Sequence, residues 1–290
     1  MRIAETRAVR WAARLVERLD AHQVSEQATV IAFNIVYSLF PLALSLTALG
    51  GFIIQGAGER ALLIAEIQAA FPEQLAREMA DVVNAAGRYS GLFGLVGFAS
   101  LLVAGSNLFA AIEVSFARIF GVPPRGIVHQ RAVAVLMIVA FSALLVVSVA
   151  ASEVAVFLTG GHRPAGGASA GWPGGRYLGL MGGWVSATLI QVVIYLVIPN
   201  LRVPFRAVWP GAVLAGTALQ VITLVFPLYI RYLAGFNRFG DAFSLVFLVM
   251  TWSYFTAFIM LVGAEVTAIR YAEVVAGRAR AHVPEDRPGG

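Results

Sequence analysis

Asn34, Ser38, Pro41 and Ser45 recur at offsets that place them on one face of a helix, inside a long apolar stretch. A proline there frees a backbone carbonyl, and in hydrocarbon something polar must satisfy it. The stripe therefore lines a substrate or water cavity, or it joins two helices through small polar side chains. Thr217, Gln220, Thr223 and Pro227 pose the same alternatives in a second apolar stretch, with Arg231 one turn beyond. Both stretches carry an amide seven residues before a proline (Asn34 and Pro41, Gln220 and Pro227), a weak internal echo. Gln191 and Tyr195, one turn apart, suit an interhelical hydrogen bond.

A second kind of chemistry belongs to Glu113, Glu153 and Glu265, which stand at the edges of apolar stretches. Charges near hydrocarbon are costly unless they are paired or functional. Arg118, Arg202 and Arg206 are the expected partners of Glu113 and Glu265, which would tie helix ends together. Proton coupling is the alternative use of the same carboxylates.

Catalytic constellations are absent from the sequence. His22, His129, His162 and His282 are far apart and fall in expected loops and tails, and no H-E-x-x-H, G-x-S-x-G or P-loop motif occurs. There is no cysteine, so thiolate chemistry and cysteine-held metals are excluded. No catalytic residue, metal site or cofactor is expected.

The elements that carry these residues follow from composition. Of 290 residues, 59% are hydrophobic and 13% charged, and the mean hydropathy is +0.79. Soluble domains are about a quarter charged, so a soluble globular domain, a disordered chain and a nucleic-acid-binding module are all excluded. The net charge of +5 points to an anionic membrane surface. All 21 basic residues are arginine, which reads as codon bias or as bidentate phosphate binding.

Six stretches lack Asp, Glu, Arg and Lys over at least 21 residues: 27–58, 89–112, 132–152, 177–201, 207–230 and 242–264. About 20 helical residues cross a bilayer core, and none of these runs alternates as a barrel strand would. The expectation is an all-α, polytopic membrane fold. Its six transmembrane helices fall near 29–54, 91–112, 132–155, 178–198, 208–231 and 243–269, in one domain over 29–272.

Residues 1–28 read as an amphipathic helix in the cytoplasmic interface, with Arg7, Arg10, Arg14 and Arg18 on one face. The segment Gly56–Arg88 is expected to form short external helices. The Gly- and Pro-rich stretch Gly160–Gly175 reads as an external loop, and 273–290 as a disordered cytoplasmic tail. With the N-terminus inside, 14 arginines fall on the cytoplasmic side and 7 outside, which puts both termini in the cytoplasm. Gly179-x-x-x-Gly183 and Gly211-x-x-x-Ala215 indicate close helix packing.

Residues 32–52 (AFNIVYSLFPLALSLTALGGF) resemble the first-helix signature of the YihY / virulence factor BrkB family of bacterial inner-membrane proteins. Ala117–Val122 resembles that family's cytoplasmic turn. Pro199–Pro204 resembles its P-N-R-R-V segment, with Leu201 in place of the first arginine. Phe239-Gly240-Asp241, Trp252, Tyr254 and Leu261–Glu265 resemble its last helix. The likeness runs in order over about residues 20–275.

The resemblance implies an inner-membrane protein, usually of six helices, in a family of mostly unsettled function. Some members were once labelled ribonuclease BN, and some are linked to serum resistance or to export of a lipid A precursor. The family offers no catalytic residues to carry over; Asn200 and Glu265 match its motif positions.

Three functions are in view. A translocator of a lipid or another amphipathic anion would use Asn34, Ser38, Pro41, Gln220, Thr223 and Arg231 around a cavity. It would use Glu113, Arg118, Asn200, Arg202 and Glu265 for ion pairing or coupling. A scaffold would use the same residues only to pack, and an enzyme is the least supported. The expected partners are membrane lipids and an amphipathic anion, not nucleic acid, and an oligomer is compatible with all three.

Overall fold

The computed structural model describes residues 2–53, 92–126, 128–136, 173–233 and 241–281. The described residues are all-helical, with no strand among them. The helices are α1 (Arg2–Ala21), α2 (Val24–Ile53), α3 (Leu92–Phe120), α4 (128–136), α5 (Pro173–Val197), α6 (Phe205–Leu233) and α7 (Asp241–Ala281). Four stretches among them are long and apolar enough to cross a membrane: Leu95–Phe120, Leu180–Val197, Phe205–Phe226 and Val246–Ala276. The expected external segment Gly56–Arg88, residues 160–172 of the Gly-rich loop, most of the third expected span, Glu153 and residues 282–290 lie outside the described residues.

Several boundaries differ from those the charges suggest. α3 runs past Glu113 and Arg118 to Phe120, and α7 passes through Glu265 and Arg270 as far as Ala281. Residues 273–281 of the expected tail are therefore helical. The expected loop at 160–175 yields its last three residues to α5, which opens at Pro173, where a proline costs no helix hydrogen bond.

The expected single helix over 1–28 is two helices. α1 ends at Ala21, and Gln23 takes a left-handed conformation (φ 52°) before α2 starts at Val24. Termination of α3 is local. Gly121 adopts φ 65°, its N–H reaches the Arg118 carbonyl at 3.3 Å, and the Val122 N–H reaches Ala117 at 2.9 Å. That paired closure with a left-handed glycine is a Schellman cap, and Pro123 and Pro124 prevent resumption.

The chain divides into two compact units. Unit 1 comprises residues 1–33, 110–129 and 181–290; unit 2 comprises 34–109 and 130–180.

In unit 1, α6 crosses α7 at backbone distance. A methyl group on Gly211 would overlap the Thr267 hydroxyl and the Gly263 carbonyl; one on Gly263 would overlap the Tyr195 hydroxyl. Ala212, Ala215, Leu261 and Ala264 are fully buried around this crossing. Gly211 and Ala215 thus serve the close packing that their spacing suggests. Tyr195 on α5 closes the third side by donating to the Met260 carbonyl at 2.8 Å, with its ring 5.9 Å from that of Phe116 on α3.

Candidate functional site

The joint between α1 and α2 lies where the polar chemistry of unit 1 converges. Glu265 is 0% exposed, on the α7 face that also buries Leu261 and Ala268. Its Oε2 accepts from Arg18 Nε at 2.9 Å, and its Oε1 meets His22 Nδ1. Arg18 also donates through Nη2 to the Ile119 carbonyl near the end of α3 at 3.2 Å. One arginine on α1 therefore holds both α7 and α3.

Three further contacts stitch the start of α2. Ser25 and Tyr254 share a hydrogen bond between hydroxyls at 2.8 Å. Ser115 donates to Gln27 Oε1 at 2.9 Å, and Arg118 Nη1 donates to Gln23 Oε1 at 3.2 Å. The Gln23 side chain is thus engaged at the residue whose backbone turns left-handed.

A second clasp involves the loop after α3. The Arg125 backbone N–H donates to buried Glu113 at 2.9 Å, and its guanidinium lies 3.6 Å from the same oxygen. That guanidinium also donates to the carbonyls of Val197, Ile198 and Pro199 at 3.3, 2.6 and 3.1 Å. These are carbonyls at the end of α5, which lack helical partners. Asn200 adds a hydrogen bond from Nδ2 to the Pro123 carbonyl at 3.3 Å.

The partners differ from those the sequence suggests. Glu265 pairs with Arg18 and His22, and Glu113 with Arg125; neither pairs with Arg118, Arg202 or Arg206. Arg118 is taken by Gln23, and Arg202 is exposed at the surface. Arg18, His22 and Arg125 are the residues that sequence reasoning misses. Arg18 is read only as part of a basic stripe, and His22 only as a loop residue.

In unit 2 a groove of about 620 Å³ is lined by Val36, Tyr37 and Pro41 of α2 and by Ala99, Ser100, Val103 and Ala104 of α3. Pro41 stands in its wall, as a cavity reading of the stripe requires. The walls, however, are largely apolar, and Asn34 and Ser38 are not in them. Asn34 and Ser38 are half-buried, and the Ser38 hydroxyl donates to the Ile35 carbonyl of its own helix at 2.7 Å. Elsewhere in unit 2, Arg131 donates to Asn107 at 3.3 Å.

The α6 stripe belongs to unit 1. Gln220 is half-buried, its amide oxygen 3.2 Å from where a side chain on Gly183 would begin. Thr223 is exposed and donates to the Leu219 carbonyl at 2.7 Å, a back-bond that satisfies the hydroxyl within its own helix. The side chains of Pro227 and Arg231 lie outside the described residues. On α5, Gln191 is buried with its Oε1 unpartnered. Among the described residues no three of His, Asp and Glu come together.

These features define a helical membrane protein whose buried charges are spent on tying helices to one another. The chain belongs to the Virulence factor BrkB family, whose profile matches residues 15–287. It is 28% identical over 264 residues to a UPF0761 membrane protein of Chromohalobacter salexigens, covering 88% of this chain and 61% of that one. It is 25% identical over 271 residues to a UPF0761 membrane protein of Verminephrobacter eiseniae, covering 92% and 63%. The chain thus spans about three fifths of the length of these two relatives. A shorter match, 22% identical over 109 residues and covering 36% and 37%, is to the Putative ribonuclease-like protein YfkH of Bacillus subtilis. No solved structure matches.

Proposed function

We propose that the chain is a six-span protein of the bacterial inner membrane, both termini cytoplasmic, that translocates a lipid or another amphipathic anion. The observation that carries this reading is the groove beside Pro41. Its volume of about 620 Å³ falls in the range of roughly 300–1,000 Å³ that suits small-molecule sites. Its aliphatic walls match an acyl chain, and Tyr37 and Ser100 bring hydroxyls to them. Pro41, inside α2, removes one helix hydrogen bond and adds polar demand in the same stretch, one to two turns from Asn34 and Ser38. The six charge-free runs and the arginine asymmetry support the topology.

This reading is non-enzymatic and needs no cofactor. The buried carboxylates Glu265 and Glu113 are engaged by Arg18, His22 and Arg125, which leaves them poorly placed to act as acid or base. The ribonuclease-like label belongs to the Bacillus relative and gains no support from these residues.

The test is reconstitution into vesicles carrying fluorescent phosphatidylglycerol, with bilayer crossing read by chemical quenching from outside. Wild type is expected to accelerate crossing. Ser100→Phe, which fills the groove, and the pair Asn34→Leu with Ser38→Ala are expected to abolish that acceleration without lowering Tm. A wild-type protein that moves no anionic amphiphile, or variants that work at the wild-type rate, would sink the proposal in favour of a scaffold.

A further inference from the structure

α6 carries a second groove, of about 510 Å³, that the transport reading does not use. It is lined by Trp209, Pro210, Val213, Leu214, Thr217 and Ala218. These residues form two adjacent rows at four-residue spacing, 209–213–217 and 210–214–218, which run side by side along one face of a helix. Phe205 and Arg206 extend the same two rows by one turn toward the start of α6. Arg202 precedes them in the short connection from α5.

The two ends of this face differ chemically. At the start of α6, Phe205 is 60% and Trp209 51% exposed, a position that suits aromatic side chains at the membrane–water interface. Arg202 and Arg206 are exposed beside them, and neither forms an ion pair among the described residues. Elsewhere in unit 1, Arg18, Arg125 and Arg270 are held by carboxylates, whereas Arg202 and Arg206 lie at the head of this face without one among the described residues. Toward the far end the lining is aliphatic, and Thr217 is fixed there by Trp184, whose Nε1–H donates to its hydroxyl at 2.9 Å.

The dimensions point to one occupant. Trp209 to Ala218 is nine residue steps, about 14 Å at 1.5 Å per residue. Half of a hydrocarbon core of about 30 Å is about 15 Å. The groove is as long as one leaflet is deep, with two exposed guanidinium groups at its headgroup end. A guanidinium matches a phosphate through paired hydrogen bonds.

We propose that this face binds one anionic phospholipid, its phosphate on Arg206 and Arg202 and an acyl chain along Trp209–Ala218. The site stands apart from the transport reading, because binding here requires no translocation.

Trp209 reports occupancy directly. In nanodiscs, brominated phosphatidylglycerol is expected to quench Trp209 fluorescence at lower mole fraction than brominated phosphatidylcholine, and Trp209→Phe should remove that difference. Each arginine near an anionic surface is worth about fivefold in affinity. Arg206→Gln should thus reduce the preference roughly fivefold, and the pair with Arg202→Gln about thirtyfold. Both side chains are exposed, so these changes leave the core untouched. Arg14→Gln, an exposed charge on α1, should leave the preference unchanged.

Equal quenching by the two lipids, a preference that survives loss of both arginines, or an equal fall with Arg14→Gln would overturn the proposal. So would Leu214→Cys forming a disulfide-linked dimer in membranes in high yield, since a second copy would then occupy the groove.

Discussion

Replacing Glu265 by glutamine keeps the shape of the side chain and removes its charge. In the native clasp each carboxylate oxygen serves one donor, Arg18 Nε on one side and His22 Nδ1 on the other. The amide of glutamine offers one oxygen and one NH2 group, so either Arg18 loses its acceptor or His22 must take the tautomer that accepts at Nδ1. A buried donor left unsatisfied costs about 1–3 kcal/mol, and the remaining bond loses its charge assistance. Breaking a fully buried ion pair costs about 3–5 kcal/mol. Here the Arg18 side chain is 35% exposed, so water screens the stranded guanidinium and places the net loss below that range. The expected destabilisation is about 2–3 kcal/mol, or roughly 5–10 °C in Tm on the scale of soluble domains. Thermal unfolding of the detergent-purified protein, followed by tryptophan fluorescence, measures it. A double-mutant cycle with Arg18→Gln isolates the pair, and a coupling of about 1 kcal/mol or more is expected. A Tm for Glu265→Gln within a degree of wild type, or strictly additive losses in the cycle, would refute the account of Glu265 as the anchor of α1.

Gly263→Ala should destabilise by about 1–3 kcal/mol through overpacking, because the new methyl group meets the Tyr195 hydroxyl, the Ala215 methyl and the Gly211 carbonyl at once; an unchanged Tm would mean that the α6–α7 crossing is looser than described. Arg125→Ala should cost about 2–3 kcal/mol, since Glu113 loses its cation and the carbonyls of Val197, Ile198 and Pro199 lose their donor; hydrogen exchange at the end of α5 should rise, and unaltered protection there would contradict the capping role. The chain has no cysteine, so Ala281→Cys gives a single label site, which should react with a membrane-impermeant maleimide only after the cells are opened; reaction in intact cells would reverse the proposed topology.

The existence of the helices is legible in the sequence, and their ends are only partly so. Charge-free runs locate the apolar centre of the four stretches long and apolar enough to cross a membrane, but a charge does not stop a helix when it has a partner. Glu113 sits mid-helix in α3 because Arg125 answers it, and α7 continues through Arg270, which pairs with Glu273 at 3.0 Å. What stops α3 is Gly121 with two prolines close behind, a signal present in the residues themselves. The break between α1 and α2 has no such signal. Glutamine rarely adopts positive φ, and Gln23 does so where its side chain also meets Arg118, a contact that exists only in the folded chain.

The same distinction governs the site. That Glu265 and Glu113 need cations follows from the cost of a charge near hydrocarbon, and each carboxylate has a nearby arginine five positions on, at Arg270 and Arg118. Helix geometry already argues against those neighbours. At 100° per residue, a fifth position lies about 140° around the axis, away from the carboxylate. The cation must then come from another element. Charge alone could not choose among the basic residues. Arg18 wins over Arg202 and Arg206 because α1 ends beside α7, and that docking is fixed by the left-handed turn at Gln23 and the side chains of Ser25 and Gln27. A pair 247 residues apart is specified by a corner that no periodicity announces.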